Sequence, residues 1–241
     1  MNAIEIKNLC KKYKSLKAVN DLTLNIEDGE MLSLLGLNGA GKTTTIKMLS
    51  CLAKPTSGDA LVYGKSIVSE PIEVKKMIGI SPQENAAAKK LTVAENLKFM
   101  CGIYGIKGEK AEENVQKIIR DFSFEKIKNQ KAGSLSGGWQ KRLSIAMALI
   151  TDPKILFLDE PTLGLDVVAR RELWSIIESL KGKMTIIITT HYLEESEHLA
   201  DRIAVMKDGE LKAHGTLDEL KRSTGENSLE EAFLKISGGM A

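Results

Sequence analysis

The chain has 241 residues, enough for one large α/β domain or two small ones, and its 43% apolar content is that of a packed globular protein. Lys plus Arg number 34 against 32 Asp plus Glu, and the resulting net charge of +2 argues against a polyanion, so no nucleic-acid partner is expected. Three widely spaced cysteines, Cys10, Cys51 and Cys101, lack C-x-x-C spacing and point to reduced thiols in the cytosol rather than to disulfides or zinc.

Residues 1 to 35 alternate apolar and polar positions, as in Ala3-Ile4-Glu5-Ile6 and Leu22-Thr23-Leu24-Asn25-Ile26, with Asp28-Gly29 as a tight turn. We expect a small antiparallel β layer here. Tyr13, between Lys12 and Lys14, either stacks on a base or covers a strand edge. Gly36-Leu37-Asn38-Gly39-Ala40-Gly41-Lys42-Thr43-Thr44 then follows the apolar run Met31 to Leu35, in the pattern G-x-x-x-x-G-K-[ST]. Small residues at Asn38, Gly39, Ala40 and Gly41 let backbone N–H groups close on phosphate oxygens, and a helix N-terminus at Lys42 to Thr44 adds partial positive charge. Lys42 is suited to the β- and γ-phosphates and the Thr43 hydroxyl to Mg²⁺.

Pro55 to Asp59 reads as a turn, Leu61-Val62-Tyr63 as a short strand, and Ile78 to Ser81 as another ending at Pro82-Gln83. Beyond Glu84 the period becomes helical. Thr92-Val93-Ala94-Glu95 is a capping box, and Ala111, Val115, Ile118, Ile119 and Phe122 share one helix face, so a mainly helical insert occupies about 86 to 150. Ile155-Leu156-Phe157-Leu158 suits a strand buried on both faces, helix 167 to 180 follows, and Thr185 to Thr190 is a further strand. This βαβ rhythm predicts a parallel sheet covered by helices. Asp208-Gly209 turns a late hairpin, and Thr216 to Glu219 and Ser228 to Glu231 read as capping boxes of two terminal helices. Uncharged stretches such as Leu143 to Thr151 run to about ten residues, short of the roughly 20 a membrane-spanning helix needs, so no crossing is expected.

Asp159 and Glu160 end the buried strand, where two carboxylates are costly without a bound cation, and Mg²⁺ fits Asp159 facing Thr43. Glu160, one residue on, is placed to act as general base toward water. Gln83, at the junction of sheet and insert, could reach metal or water through its amide. His191 ends the next strand at the same sheet edge, where it is either structural or catalytic. Ser136-Gly137-Gly138 opens a second helix as a small-residue turn, which is either an ordinary Ser-capped start or a second anion site. Two phosphate loops with one set of magnesium ligands suggest a head-to-tail dimer. Asp166, on spacing alone, is a helix N-cap.

In this order the motifs resemble the ATP-binding subunit of an ABC transporter along essentially the whole chain. Gly36 to Thr44 is similar to its Walker A loop, Gln83 to the Q-loop, Leu135 to Gln140 to the signature, Leu156 to Glu160 to Walker B, Leu165-Asp166 to the D-loop and His191 to the switch histidine. Tyr13 resembles the adenine-stacking aromatic. Trp139 departs from the usual polar or sulfur-containing residue of the signature. Details around His191 and Ser228 to Leu234 resemble ABC-2-type exporters of the daunorubicin-resistance kind.

The resemblance implies an α/β P-loop NTPase core with a parallel sheet, an N-terminal antiparallel β layer and a helical subdomain after the Q-loop. It also implies ATP and Mg²⁺ as ligands, Gln83, Glu160 and His191 as catalytic residues, and contacts to nucleotide from Ser136 to Gly138 and Asp166. The expected division is 1–85 with 151–222 as core, 86–150 as helical subdomain and 223–241 as a helical tail. Expected partners are separately encoded integral membrane permease subunits and a second copy or a homologous ATPase subunit. The expected place is cytoplasmic, peripheral on the inner face of the cell membrane. A soluble ABC-type ATPase acting on ribosomes is the alternative.

Overall fold

The computed structural model describes residues 1–238. In chain order the elements are β1 (Asn2–Tyr13), β2 (Leu16–Glu27), β3 (Met31–Leu35), α1 (Lys42–Leu49), β4 (Ser57–Val62), β5 (Lys65–Ser66), α2 (Pro71–Met77) and β6 (Ile78–Ser81). The insert follows, with α3 (Val93–Ile103), α4 (Gly108–Asp121), a 3₁₀ turn (Ala132–Ser134) and α5 (Gly137–Leu149). The chain then runs β7 (Ile155–Asp159), α6 (Val167–Glu178), β8 (Thr185–Thr190), α7 (Leu193–Leu199), β9 (Arg202–Lys207), β10 (Glu210–Gly215), α8 (Leu217–Thr224) and α9 (Leu229–Ile236).

Two sheets form. One is antiparallel, in the order β2-β1-β4-β5, and the other has six strands in the order β10-β9-β3-β8-β7-β6. In the larger sheet β9, β3, β8, β7 and β6 run parallel, while β10 pairs antiparallel with β9. The fold is therefore α/β with an antiparallel N-terminal sheet and a largely parallel second sheet, as the residue pattern implied.

Strand periodicity sorts the large sheet's side chains onto its two faces. Leu156, Leu158, Ile186 and Ile188 face α3 to α6, where they join Leu97, Val115, Ile119, Phe124 and Leu143. Ile155, Phe157 and Ile187 face the antiparallel sheet and α1, meeting Ile4, Ile6, Leu22 and Ile46. The core of the insert is thus continuous with one face of the large sheet.

Four local expectations are corrected. Met31–Leu35 is not part of the antiparallel layer but lies between β8 and β9, because every one of its residues is buried, whereas β2 alternates. Asp28-Gly29 accordingly links two sheets. Strand β4 starts at Ser57 inside the expected turn; Gly58, at φ 75°, lets it pass close beside β1 at a register irregularity, where a Cβ would stand 2.1 Å from the Asn8 carbonyl oxygen. At Ser228 only half a capping box forms: the hydroxyl accepts from Glu231 N, and the Glu231 carboxylate returns to that hydroxyl rather than to a backbone N–H. Helix α6 ends at Glu178, two residues short of the expected 180. The boxes at Thr92 and Thr216 are complete. Residues 239–241 of the expected tail lie outside the described residues. Among the described residues no helix is long and apolar enough to cross a membrane.

Candidate functional site

Parallel strands bring chemistry to one edge because successive loops leave from their carboxyl ends. From β3 the chain enters the glycine loop, from β7 it reaches Asp159 and Glu160, and from β8 it reaches His191. Gly41 caps α1 at φ 100°, and a Cβ there would meet the Ala18 carbonyl oxygen at 2.5 Å, so glycine is required by both backbone and space. No side chain caps this helix start, which leaves its first N–H groups facing the cleft.

That cleft has a volume of about 580 Å³ and is lined by Tyr13, Asn38, Gly39, Ala40, Gly41, Lys42, Thr43, Thr44, Gln83 and Glu160. Lys42 is buried, donates to the Gly36 carbonyl at 2.7 Å, and lies 3.4 Å from Glu160 Oε1. The other oxygen of Glu160, Oε2, lies 2.8 Å from His191 Nδ1. Glu160 itself sits at φ 47°, a left-handed conformation that costs a non-glycine residue about 1 kcal/mol or more. Its N–H is held by Thr189, through the hydroxyl at 3.0 Å and the carbonyl at 3.1 Å.

Asp159 Oδ1 accepts from the Thr43 hydroxyl at 2.9 Å and from the Thr189 hydroxyl at 2.6 Å. A hydroxyl and a carboxylate beside a phosphate loop are the hard-oxygen set that Mg²⁺ uses when nucleotide phosphates complete its shell, so these residues fit that ion. Among the described residues no group of three His, Cys, Asp or Glu could hold a metal by itself.

The remaining expected site residues stand apart. Ser136 is exposed, its side chain makes no capping bond, and neither it nor Gly137 or Gly138 lines the cleft. Asp166 caps α6, accepting from Ala169 N at 2.9 Å. Trp139 turns its ring inward, 6.0 Å from Phe124 and beneath the Arg142 guanidinium at 4.5 Å. The unusual signature residue therefore packs into the insert and leaves Ser136 and the glycines at the surface.

Sequence reasoning missed two parts of the site. Leu16, Lys17, Ala18 and Asp208 also line the cleft. Leu16 pairs with Tyr13 across the hairpin, and Gly209, beside Asp208, donates its N–H to the Ala40 carbonyl at 3.2 Å. The other omission is Lys141 on α5, buried with its ammonium donating to the Gln83 carbonyl. Burial pulls this ammonium below its ordinary value, and the charges of Asp159 and Glu160 draw it partly back.

The chain is similar to known proteins. The ABC transporter family model matches residues 19–163. Over 92% of its length the chain is 41% identical to the human phospholipid-transporting ATPase ABCA3, of whose length it spans 13%. Over 94% of its length it is 41% identical to the daunorubicin/doxorubicin resistance ATP-binding protein DrrA of Streptomyces peucetius, of which it spans 69%. The dimeric post-hydrolysis ATP-binding cassette MJ0796, bound to ADP and Pi, superposes with a TM-score of 0.79 at 29% identity, covering 89% of this chain and 98% of that one. With a family model over more than half of its residues and a 41% identity to DrrA over 94% of its length, the chain belongs to the ABC transporter family, as an ATP-binding cassette.

Proposed function

We propose that the chain binds and hydrolyses ATP to drive export through separate membrane subunits, two cassettes closing head to tail around the nucleotide. The observation that carries this is Glu160, whose carboxylate is shared by Lys42 and His191 at the mouth of the phosphate loop. Lys42, the loop N–H groups and the α1 terminus hold the phosphates, and Tyr13 stacks on the base. Glu160 takes the proton of a water that attacks the γ-phosphorus, while the bond from that phosphorus to the β–γ bridging oxygen breaks to give ADP and phosphate. His191 keeps the carboxylate turned toward that water. Mg²⁺, held by Thr43 and Asp159 with Gln83 nearby, would neutralise charge on the phosphate oxygens.

The exposed Ser136-Gly137-Gly138 turn and Asp166 serve the partner cassette's nucleotide. The dimeric state of MJ0796 supports this arrangement. Export is supported by the resistance that DrrA's name states and the phospholipid transport that ABCA3's name states, and a place at the inner face of a cell membrane goes with that role. Residues 1–85 and 151–222 act as the catalytic body, 86–150 as the helical unit that meets the membrane subunit, and 223–241 as a tail.

Phosphate release from Mg-ATP by the purified chain tests the reading, with Glu160→Gln beside it. Release that falls in the variant supports the assignment, and equal release by both would remove Glu160 from the chemistry.

A further inference from the structure

Behind Glu160 and His191 lies a polar cluster that the catalytic reading does not use. Glu195, in the first turn of α7, is 1% exposed, and Thr190, Thr162 and Trp174 around it are buried. Its Oε1 accepts from the Trp174 indole N–H at 3.1 Å. The hydroxyls of Thr190 and Thr162 face the same carboxyl. Two buried atoms of this cluster, Glu195 Oε2 and Thr162 Oγ1, have no hydrogen-bond partner among the described residues.

The connectivity gives the cluster its meaning. Thr190 immediately precedes His191, and Thr162 lies two residues past Glu160. Glu160 is held in a strained left-handed backbone, fixed on one side by Thr189. Its other side runs through Pro161 to Thr162, at the Glu195 carboxyl. One buried side chain thus borders both chain segments that present the Glu160–His191 pair.

We propose that Glu195 is a positioning residue, tying the turn after Glu160 to the start of the His191 loop so that the 2.8 Å contact between those two side chains is kept. This rests on the catalytic reading above. The carboxyl does so as the neutral acid: Oε2 is buried with no donor on it, a place where a full negative charge would be costly. Burial raises its pKa in the same sense, with the neighbouring hydroxyls and the indole N–H opposing.

The test measures kcat and KM for ATP, with thermal midpoints, for the full chain and for Glu195→Gln, Glu195→Ala and Thr162→Val. The amide of Gln is neutral like the acid, so that variant should stay within about 2-fold of the parent, while Ala and Val should lose about 10- to 100-fold in kcat at little-changed KM, the scale of a displaced catalytic group. The Glu195→Ala/Thr162→Val double variant should fall no further than the worse single one. If Glu195→Ala fails to fold, the Gln and Val variants still decide. Altered thermal midpoints with unchanged kcat overturn the positioning role, and a Gln variant as impaired as Ala overturns the neutral acid. A parent chain that releases no phosphate from ATP overturns the catalytic reading itself, and this inference with it.

Discussion

Lys42 and Glu160 form an ion pair at 3.4 Å with both side chains buried, so the charge proposed to meet phosphate and the carboxylate proposed to meet water are held by each other. Removing one partner leaves the other charge in a poorly solvated place. Lys42→Ala should abolish ATP binding and lower stability by something on the order of 3 kcal/mol. Fluorescent-nucleotide titration and denaturant melts read the two effects, and normal binding would remove Lys42 from the site.

Glu160→Gln keeps size and hydrogen bonding but not the base. Hydrolysis should drop by about 10²- to 10⁴-fold while ATP still binds. Unhydrolysed ATP should then hold two chains together, giving a dimer on sizing chromatography with ATP and a monomer without it. Adding Ser136→Arg at the exposed turn should restore the monomer. A Glu160→Gln chain that stays monomeric with bound ATP verified would sink the head-to-tail arrangement.

Tyr13 lines the cleft with its ring exposed and Lys11 4.9 Å from the ring centroid. Tyr13→Ala should weaken ATP binding by something on the order of 10-fold, and Tyr13→Trp should keep it, since stacking tolerates a change of ring. Equal affinities for all three would make Tyr13 a covering residue of the β hairpin.

The outer surface of the insert exposes Phe99 and Ile103 on α3 beside Lys98, which pairs with Glu112 on α4 at 2.9 Å. Such an exposed pair contributes under about 1 kcal/mol, so Lys98→Glu should leave the fold and basal hydrolysis intact. Lys98→Glu and Phe99→Asp should reduce assembly with the proposed membrane subunits. Normal assembly and transport by both would move the docking surface elsewhere.

Glu195 also gives stability a pH dependence of definite sign. Its folded ionisation lies above the ordinary carboxylate range, so the folded chain retains a proton that the unfolded chain loses. Stability should therefore fall as pH rises from that range through the folded value. Glu160 and His191 at the strand ends, Arg170 on α6, and Glu194 and His198 on α7 are common to parent and Glu195→Gln, so comparing the two isolates this group. The variant's advantage in thermal midpoint should grow across that window and be flat below it, and a constant difference would contradict the assignment.

Local patterns were legible where one stretch carried its own physics. The glycine loop, the apolar run Ile155 to Leu158 and the Thr92 capping box announce loop, buried strand and helix start without reference to anything distant. Met31–Leu35 was recognisable as a strand, but its sheet was not, because a fully apolar run does not say which neighbours cover it. The same limit hid Lys141 against Gln83 and Glu195 against Thr162. These contacts span 58 and 33 positions and exist only once β6, β7 and β8 lie side by side.

Trp139 has a mechanical meaning. Its ring, wedged against Phe124 and Arg142, fastens the first turn of α5 to the segment that follows α4, while Ser136 projects just ahead of it. Close-packed interiors transmit displacement rather than absorb it. A force on the insert's outer face would therefore swing Ser136 through the same rotation with no free play, and a smaller residue at 139 would introduce backlash between the two.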